Sequence, residues 1–501
     1  MRDPRERHAP FAKLLLPAAV LALAIACEAP APQEADAPAP EASAAQPMAD
    51  VTQEFADLIA VDADPVALTG VKLLDGTGEP ARDGQTVVIA DGRIAAVGND
   101  GEVDVPDGAE VLDLAGHTVM PGLIGLHNHS FYTAAGGRAA QLSFSAPRLY
   151  LASGLTTIRT TGARAPYEEI NLQEEIEAGL AVGPTIFITG PYLTGQQGSR
   201  TMAQLDGPES ARRVVRYWSE EGVDWFKAYT WISRAELGAA IEEAHAHGIN
   251  VTAHLCSVGY REAVALGIDN LEHGLFANSE YDPSKQPDEC PPGFRNTYGD
   301  LDVNGPEVQQ TFRDMVDNDV SMTSTLAVYE ISVPGRSDLD PRVWEVLAPE
   351  VAAEVRAQFD RIRGADPASG VGLSPELLRV AMDYEYAFVQ AGGLLAAGVD
   401  PTGYGAAPPG LGDQRNFELL LEAGFTAPEV AEIMSANGAR VLGIYDDVGS
   451  VEPGKRADLA VVEGDVEADG HIRNTSIVFR HGIGWDSDAL IESVRGLVGI
   501  R

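Results

Sequence analysis

At 501 residues the chain is long enough for a core of a few hundred residues, and 45% hydrophobic with 22% charged content reads as globular and soluble, neither fibrous nor polytopic. A formal charge of −40 argues against nucleic acid as a partner, whose phosphates would be repelled. Such acidity describes a heavily hydrated surface and identifies no substrate.

The first element is an address. Arg2, Arg5, Arg7 and Lys13 precede an apolar run from Leu14 to Ala26, and Cys27 follows. The run is too short to span a bilayer comfortably but suits a secretory signal. Ala24-Ile25-Ala26-Cys27 resembles a bacterial lipoprotein cleavage box, with Ala24 where leucine is usual. The resemblance implies a signal over residues 1–27 and acylation of Cys27, so that the membrane is met only through a lipid anchor. Glu28, in place of the aspartate of inner-membrane retention, implies a periplasm-facing lipoprotein on the outer membrane of a Gram-negative bacterium. A plain signal peptide that happens to contain a cysteine is the alternative.

Residues 28–62, opening EAPAPQEADAPAPEASAAQ, are expected to be a disordered, semi-extended tether with little to bury. The other two cysteines, Cys256 and Cys290, are expected to pair in an oxidising compartment. Two separate thiols are the alternative, since the distance between them is not legible in the sequence.

Short alternating runs then begin, VALTGVKLLDG, QTVVIADGRIAAVG and AEVLDLAGHTVMPG, broken by Gly and Asp as in hairpins. The same texture returns in VGSVEPGKRADLAVVEGD and TSIVFRHG. Segments 63–120 and 440–490 are therefore assigned to one small β-sandwich domain built from both termini. Between them, over 121–439, eight strand-like segments alternate with amphipathic helices. The strands are LIGLHNH, LTTIRTTG, PTIFITGP, VDWFKAYT, INVTAHLC, IDNLEHG, VSMTSTLAVYE and GLLAAGVDP. The fold class is α/β, a (β/α)8 TIM-like barrel. Segments 278–305 and 332–375 exceed what a barrel needs and are expected to be loop insertions.

In a strand, residues i and i+2 point the same way, so His127 and His129 can reach one ion together. The pair means little alone. His245 and His247 have the same spacing at the end of a predicted helix, where i and i+2 lie roughly 200° apart around the axis. What lifts the first pair is the series behind it: Lys227, His254, His273 and Asp400, each at the end of a predicted strand. Each has an ordinary explanation as a surface lysine, a satisfied core histidine or a cap. Six metal-competent groups on five strand ends of one barrel face are harder to dismiss.

This order resembles the amidohydrolase superfamily over nearly all of residues 66–485. VMPGLIGLHNH on the first strand, AAGVDP on the last and SANGARVLG with VGSVEPGKRADLAVVEGD at the exit carry the likeness. The nearest group is the imidazolonepropionase-like one, with metallo-dipeptidases, prolidases and hydrolases of N-acyl amino acids. The resemblance implies two divalent metal ions, with zinc expected. By the same resemblance His127 and His129 are expected to bind the first ion with Asp400, His254 and His273 the second, and Lys227 to bridge both as a carbamate (N6-carboxylysine). It further implies that a metal-bridging hydroxide cleaves a non-cyclic amide bond in dipeptides or N-acyl amino acids, with Asp400 as general acid and base.

Deaminase-type members usually carry a glutamate where this chain has Ser257, which disfavours that branch. A lactonase or phosphotriesterase on the same site is the alternative, and a non-catalytic ligand-binding lipoprotein is another. Tyr229 and Tyr132 are candidates to hydrogen-bond a substrate carbonyl, and Arg159 and Arg164 to receive a carboxylate. Relatives often form homo-oligomers.

Overall fold

The computed structural model describes residues 53–336 and 338–500, so the expected signal segment, Cys27 and most of the expected tether lie outside the described residues. Eight parallel strands form the central barrel: β1 (Leu123–Asn128), β2 (Leu155–Thr160), β3 (Thr185–Phe187), β4 (Trp225–Tyr229), β5 (Asn250–His254), β6 (Asn270–Glu272), β7 (Ser321–Ser324) and β8 (Leu395–Ala397). β8 returns to β1 through Ala397 beside Gly125, and the chain just after β3 meets β4 through Thr189 beside Trp225. At least one helix follows each strand, and the eight that alternate with the strands are α1 (Ser145–Ala152), α2 (Pro166–Glu177), α3 (Pro208–Glu220), α4 (Arg234–Ala246), α5 (Tyr260–Ala265), α6 (Pro306–Val316), α7 (Pro375–Gln390) and α8 (Leu411–Glu422). This is the expected (β/α)8 barrel.

Local chemistry explains the boundaries. A parallel strand has helices on one face and packed barrel interior on the other, so β2 is buried at every residue. α4 starts at a capping box, in which Ser233 accepts from the Glu236 amide while the Glu236 carboxylate accepts from Ser233. It stops at His247, followed by Gly248 at φ +72°, a left-handed position that glycine fills without strain. One predicted strand divides. Of VSMTSTLAVYE only Ser321–Ser324 is extended, and Leu326–Glu330 turns into a short helix packed against α8. Leu, Ala and Glu favour that turn over a strand.

The terminal segments build one nine-stranded sheet around its own apolar cluster, which includes Val66, Leu68, Val87, Leu459, Val461 and Phe479. Leu459–Glu463 lies between Thr475–Arg480 and His117–Pro121, both antiparallel. Its side chains alternate: Leu459 and Val461 enter that cluster, while Ala460 and Val462 join the barrel core. The expected tether requires correction at its end. Gln53–Leu58 form a 3-10 helix, and Ile59–Val61 pair with Ile483–Asp486. Phe55, Ile59 and Val61 supply the apolar surface that the preceding Ala/Pro/Glu stretch lacks.

The two insertions differ. Segment 332–375 is largely helical, through Pro341–Val346 and Pro349–Arg363. Segment 278–305 is mostly loop, and a Cys256–Cys290 disulfide fastens it two residues beyond His254. Among the described residues, no helix is long and apolar enough to cross a membrane.

Candidate active site

Strand direction brings the six predicted groups together. His127 and His129 turn into the barrel, and Asn128 between them turns outward, where its amide donates to Asp413 at 3.2 Å. Tyr150 clamps the turn: its hydroxyl accepts from the His129 amide at 3.1 Å and donates to the His129 carbonyl at 2.9 Å. Lys227 and Tyr229 share a face of β4, and Tyr229 stands beside His254 in register. Asp400 is strapped to β1, its amide donating to the His127 carbonyl at 2.7 Å. Asp400 and His273 hold left-handed backbone, φ +51° and +70°, which costs about 1–3 kcal/mol at a non-glycine residue and collects at functional sites.

The side chains converge. Asp400 Oδ1 lies 3.3 Å from His129 Nε2, and Oδ2 lies 3.7 Å from His127 Nε2 and 3.9 Å from His273 Nε2. Lys227 Nζ is 2.9 Å from His127 Nε2, and the His254 ring centroid is 4.4 Å from that of His273. Burial drives the pKa of His127, His254 and His273 well below the imidazole value and lowers that of His129, so the rings are neutral with lone pairs to offer. Burial also brings Lys227 down to about 8. It opposes ionisation of Asp400 too, but His127, His129 and Lys227 outweigh it and hold the carboxyl below the usual range.

These residues fit a cation. His273 Nε2 is buried without a hydrogen-bond partner among the described residues, yet it faces a carboxylate. Ligand atoms of His127, His273 and Asp400 fall within 4.8 Å of one another. Imidazole nitrogen and carboxylate oxygen are the donors zinc takes.

A cavity of about 510 Å³ opens over this floor. Phe131, Tyr192, Tyr229, Met202 and Tyr404 form its apolar wall, with Arg164, Arg138 and Gln358 at the rim. Arg138 is paired with Glu354 at 2.9 Å. Arg164 lies over the Phe131 ring at 4.7 Å, and among the described residues no carboxylate pairs with it. Gly162 makes room for the wall: its φ is +95°, and a Cβ there would lie 2.5 Å from the Tyr192 ring.

Of the four predicted substrate residues, Tyr229 and Arg164 line the cavity. Tyr132 and Arg159 are corrected. The Tyr132 hydroxyl is spent on the Gly405 carbonyl at 2.5 Å, and Arg159 is fully buried beneath the floor against Glu272. His245 and His247 stay apart from the site, facing Asp269 and Glu243. The Ser257 hydroxyl donates to the Thr230 and Ile232 carbonyls. Sequence reasoning missed Tyr192, whose hydroxyl is 3.4 Å from His129 Nε2, and Thr325, 2.7 Å from His273 Nδ1. It also missed Glu272, although an acidic residue inside an apolar strand is itself a signal, because a buried carboxylate requires a partner.

Comparison with known proteins agrees with this geometry. Enamidase of Eubacterium barkeri is 22% identical over 399 residues, 77% of this chain and 82% of the relative. A prolidase candidate of Bifidobacterium longum aligns with a TM-score of 0.61 at 26% identity, over 86% of this chain and 99% of its own. A Xaa-Pro dipeptidase crystallised with methionine in its active site gives 0.62 at 19% identity, over 84% and 100%; at that identity the likeness speaks to the fold. The sequence profile of the amidohydrolase family matches residues 118–282 and 395–483, just over half of the chain. The first match contains the strand ends of His127, His129, Lys227, His254 and His273 and the second that of Asp400, so the chain belongs to the amidohydrolase family.

Proposed function

We propose that this amidohydrolase cleaves a non-cyclic amide bond in dipeptides or N-acyl amino acids, with Asp400 as the proton carrier. The observation that carries the reading is the meeting of six metal-competent groups, five of them lining the floor of a cavity rimmed by an arginine without a carboxylate partner among the described residues. The names of the similar proteins, enamidase, prolidase and Xaa-Pro dipeptidase, are amide- or peptide-directed, which supports it.

His127, His129 and Asp400 would hold one divalent ion, and His254 and His273 a second, with Lys227 between them after carboxylation by carbon dioxide. The lowered lysine pKa supports that modification, since only the neutral amine reacts. Bound ions, zinc first among them, supply Lewis-acid chemistry, polarising a carbonyl and acidifying water.

The chain's own residues do the rest. Thr402 donates to Asp400 Oδ1 at 2.8 Å and fixes the rotation of the carboxylate. Asp400, held ionised, takes the proton of the attacking water as the new C–O bond forms. It then delivers that proton to the nitrogen as the C–N bond breaks, because an amide nitrogen leaves poorly unless protonated. Burial pushes the Tyr229 hydroxyl up to about 12, so it remains a donor for the substrate carbonyl. Arg164 receives the substrate carboxylate through paired N–H groups. The disulfide supports an oxidising compartment, in keeping with export and a lipid anchor at Cys27.

The test is amine release from a library of dipeptides and N-acyl amino acids by zinc-loaded protein, with Asp400→Asn as control. Cleavage that falls about 10²- to 10⁴-fold in the control, with metal retained, is the expected result. Turnover of lactones or phosphotriesters with every amide left intact would sink the proposal.

A further inference from the structure

Beneath the floor, on the side of His127 turned away from Asp400, stands a buried ion pair that the chemistry above does not use. Glu272 is fully buried at the end of β6, and both its oxygens are engaged. Oε2 lies 2.7 Å from His127 Nδ1, while Oε1 accepts from Arg159 Nη2 at 2.6 Å and from Thr252 Oγ1 at 2.5 Å. Arg159, fully buried on β2, also donates through Nε to the Leu126 carbonyl at 2.9 Å and through Nη2 to Asn270 Oδ1 at 3.0 Å. Its guanidinium lies 4.5 Å over the Trp225 ring. Strands β1, β2, β4, β5 and β6 therefore all meet at this pair.

Burying two charges is costly, and Arg159 Nη1 has no hydrogen-bond partner among the described residues, so an apolar core would serve the barrel about as well. What the pair adds is a carboxylate on one particular imidazole. A carboxylate accepts and does not donate, so the proton of His127 sits on Nδ1 and Nε2 presents its lone pair to the cavity. The other rings differ. His273 Nδ1 meets the Thr325 hydroxyl, which can donate or accept, and His129 Nδ1 has no partner among the described residues.

We propose that Glu272, with Arg159 as its counter-charge, is the positioning residue for His127: it fixes the proton on Nδ1, aims Nε2 at a divalent cation and makes that nitrogen a stronger ligand. The proposal rests on the reading that the floor holds such a cation. Arg159, an apparent substrate contact by sequence, instead serves the metal through Glu272.

Glu272→Gln keeps the shape and removes the charge. Zinc affinity of the full chain, measured against a competing chelator, is expected to fall about 10- to 100-fold, with the circular dichroism spectrum retained. Metal-free wild-type protein carrying ¹⁵N-histidine provides a readout that needs no folded variant at Glu272. Its His127 signal, assigned by loss in His127→Asn, is expected as the Nδ1–H tautomer. An Nε2–H form in the wild type, or unchanged zinc affinity in a folded Glu272→Gln, would overturn the proposal. If wild-type protein takes up no zinc or other divalent ion, the metal reading above falls and this proposal falls with it. If amide cleavage still depends on Asp400 while zinc affinity ignores Glu272, the positioning role alone fails.

Discussion

Arg164 and Arg159 lie five residues apart and have opposite fates. Arg159 is inside β2, where the inward position carries it into the barrel; Arg164 is past the strand, on the loop that reaches the rim. In a chain with 75 acidic and 35 basic residues, a rim arginine without a carboxylate partner among the described residues is the candidate proposed above for the substrate carboxylate. Arg164→Met is expected to raise KM roughly 10- to 100-fold for substrates with a free carboxylate, from the loss of a charged hydrogen bond worth about 1.5–3 kcal/mol. Carboxamide forms of the same substrates should show no such rise. Steady-state kinetics on the two forms decide the matter, and an equal effect on both would remove Arg164 from carboxylate recognition. A second residue makes a pH prediction. Glu385 is buried near Gly274, and burial pushes its carboxyl from 4.5 up to about 8. Between those values the folded chain keeps a proton that the unfolded chain has released, so stability falls as pH rises through that window and levels off above it. Glu385→Gln should flatten the fall by a few kcal/mol at most, read as unfolding temperature at pH 5 and pH 8. An unchanged slope would contradict the assignment.

At the scale of elements, the period-two alternation of strands and the ordering of strand ends made the site legible. His127 and His129 share a face because their strand makes them, and Asp400 announces itself at the end of an apolar run. Contacts between elements were not legible. The sequence around Tyr132 says nothing of the Gly405 carbonyl that consumes its hydroxyl, 273 residues away. Glu272 looks like a strand residue beside a histidine until β1 and β2 are placed against it. Tyr192 depends on Gly162, on another strand's loop. The expected pairing of Cys256 with Cys290 is present, and it closes a loop across a sequence separation of 34. Replacing both cysteines by alanine is expected to cost about 3–4 kcal/mol in urea unfolding, from the entropy restored to the unfolded chain. The cut should also slacken the loop that carries Arg295, whose Nε donates to the Phe276 carbonyl at 2.6 Å. A stability change under about 1 kcal/mol would show that the disulfide contributes little to holding the loop.

For the whole molecule, the decisive arrangement is the nine-stranded sheet, where Leu459–Glu463 sits between a strand from its own end of the chain and His117–Pro121 from the other. Removing residues 459–501 would strip His117–Pro121 of one of its two partner strands, leaving only Val66–Leu73, and leave Ala460 and Val462 missing from the barrel core. Such a truncation is expected to lose cooperative thermal unfolding and to accumulate as insoluble protein, although all six floor residues remain. A soluble, cooperatively folding truncation would show that the barrel stands alone.

That same arrangement sets a timetable for biosynthesis. His117–Pro121 emerges early, and its neighbour Leu459–Glu463 is made more than three hundred residues later. Throughout that interval the early strands have an open edge and uncovered apolar faces, the hallmark of a segment prone to aggregation. The sheet is therefore completed only when the last strands have been made, and protection of its early edge arrives with Leu459–Glu463.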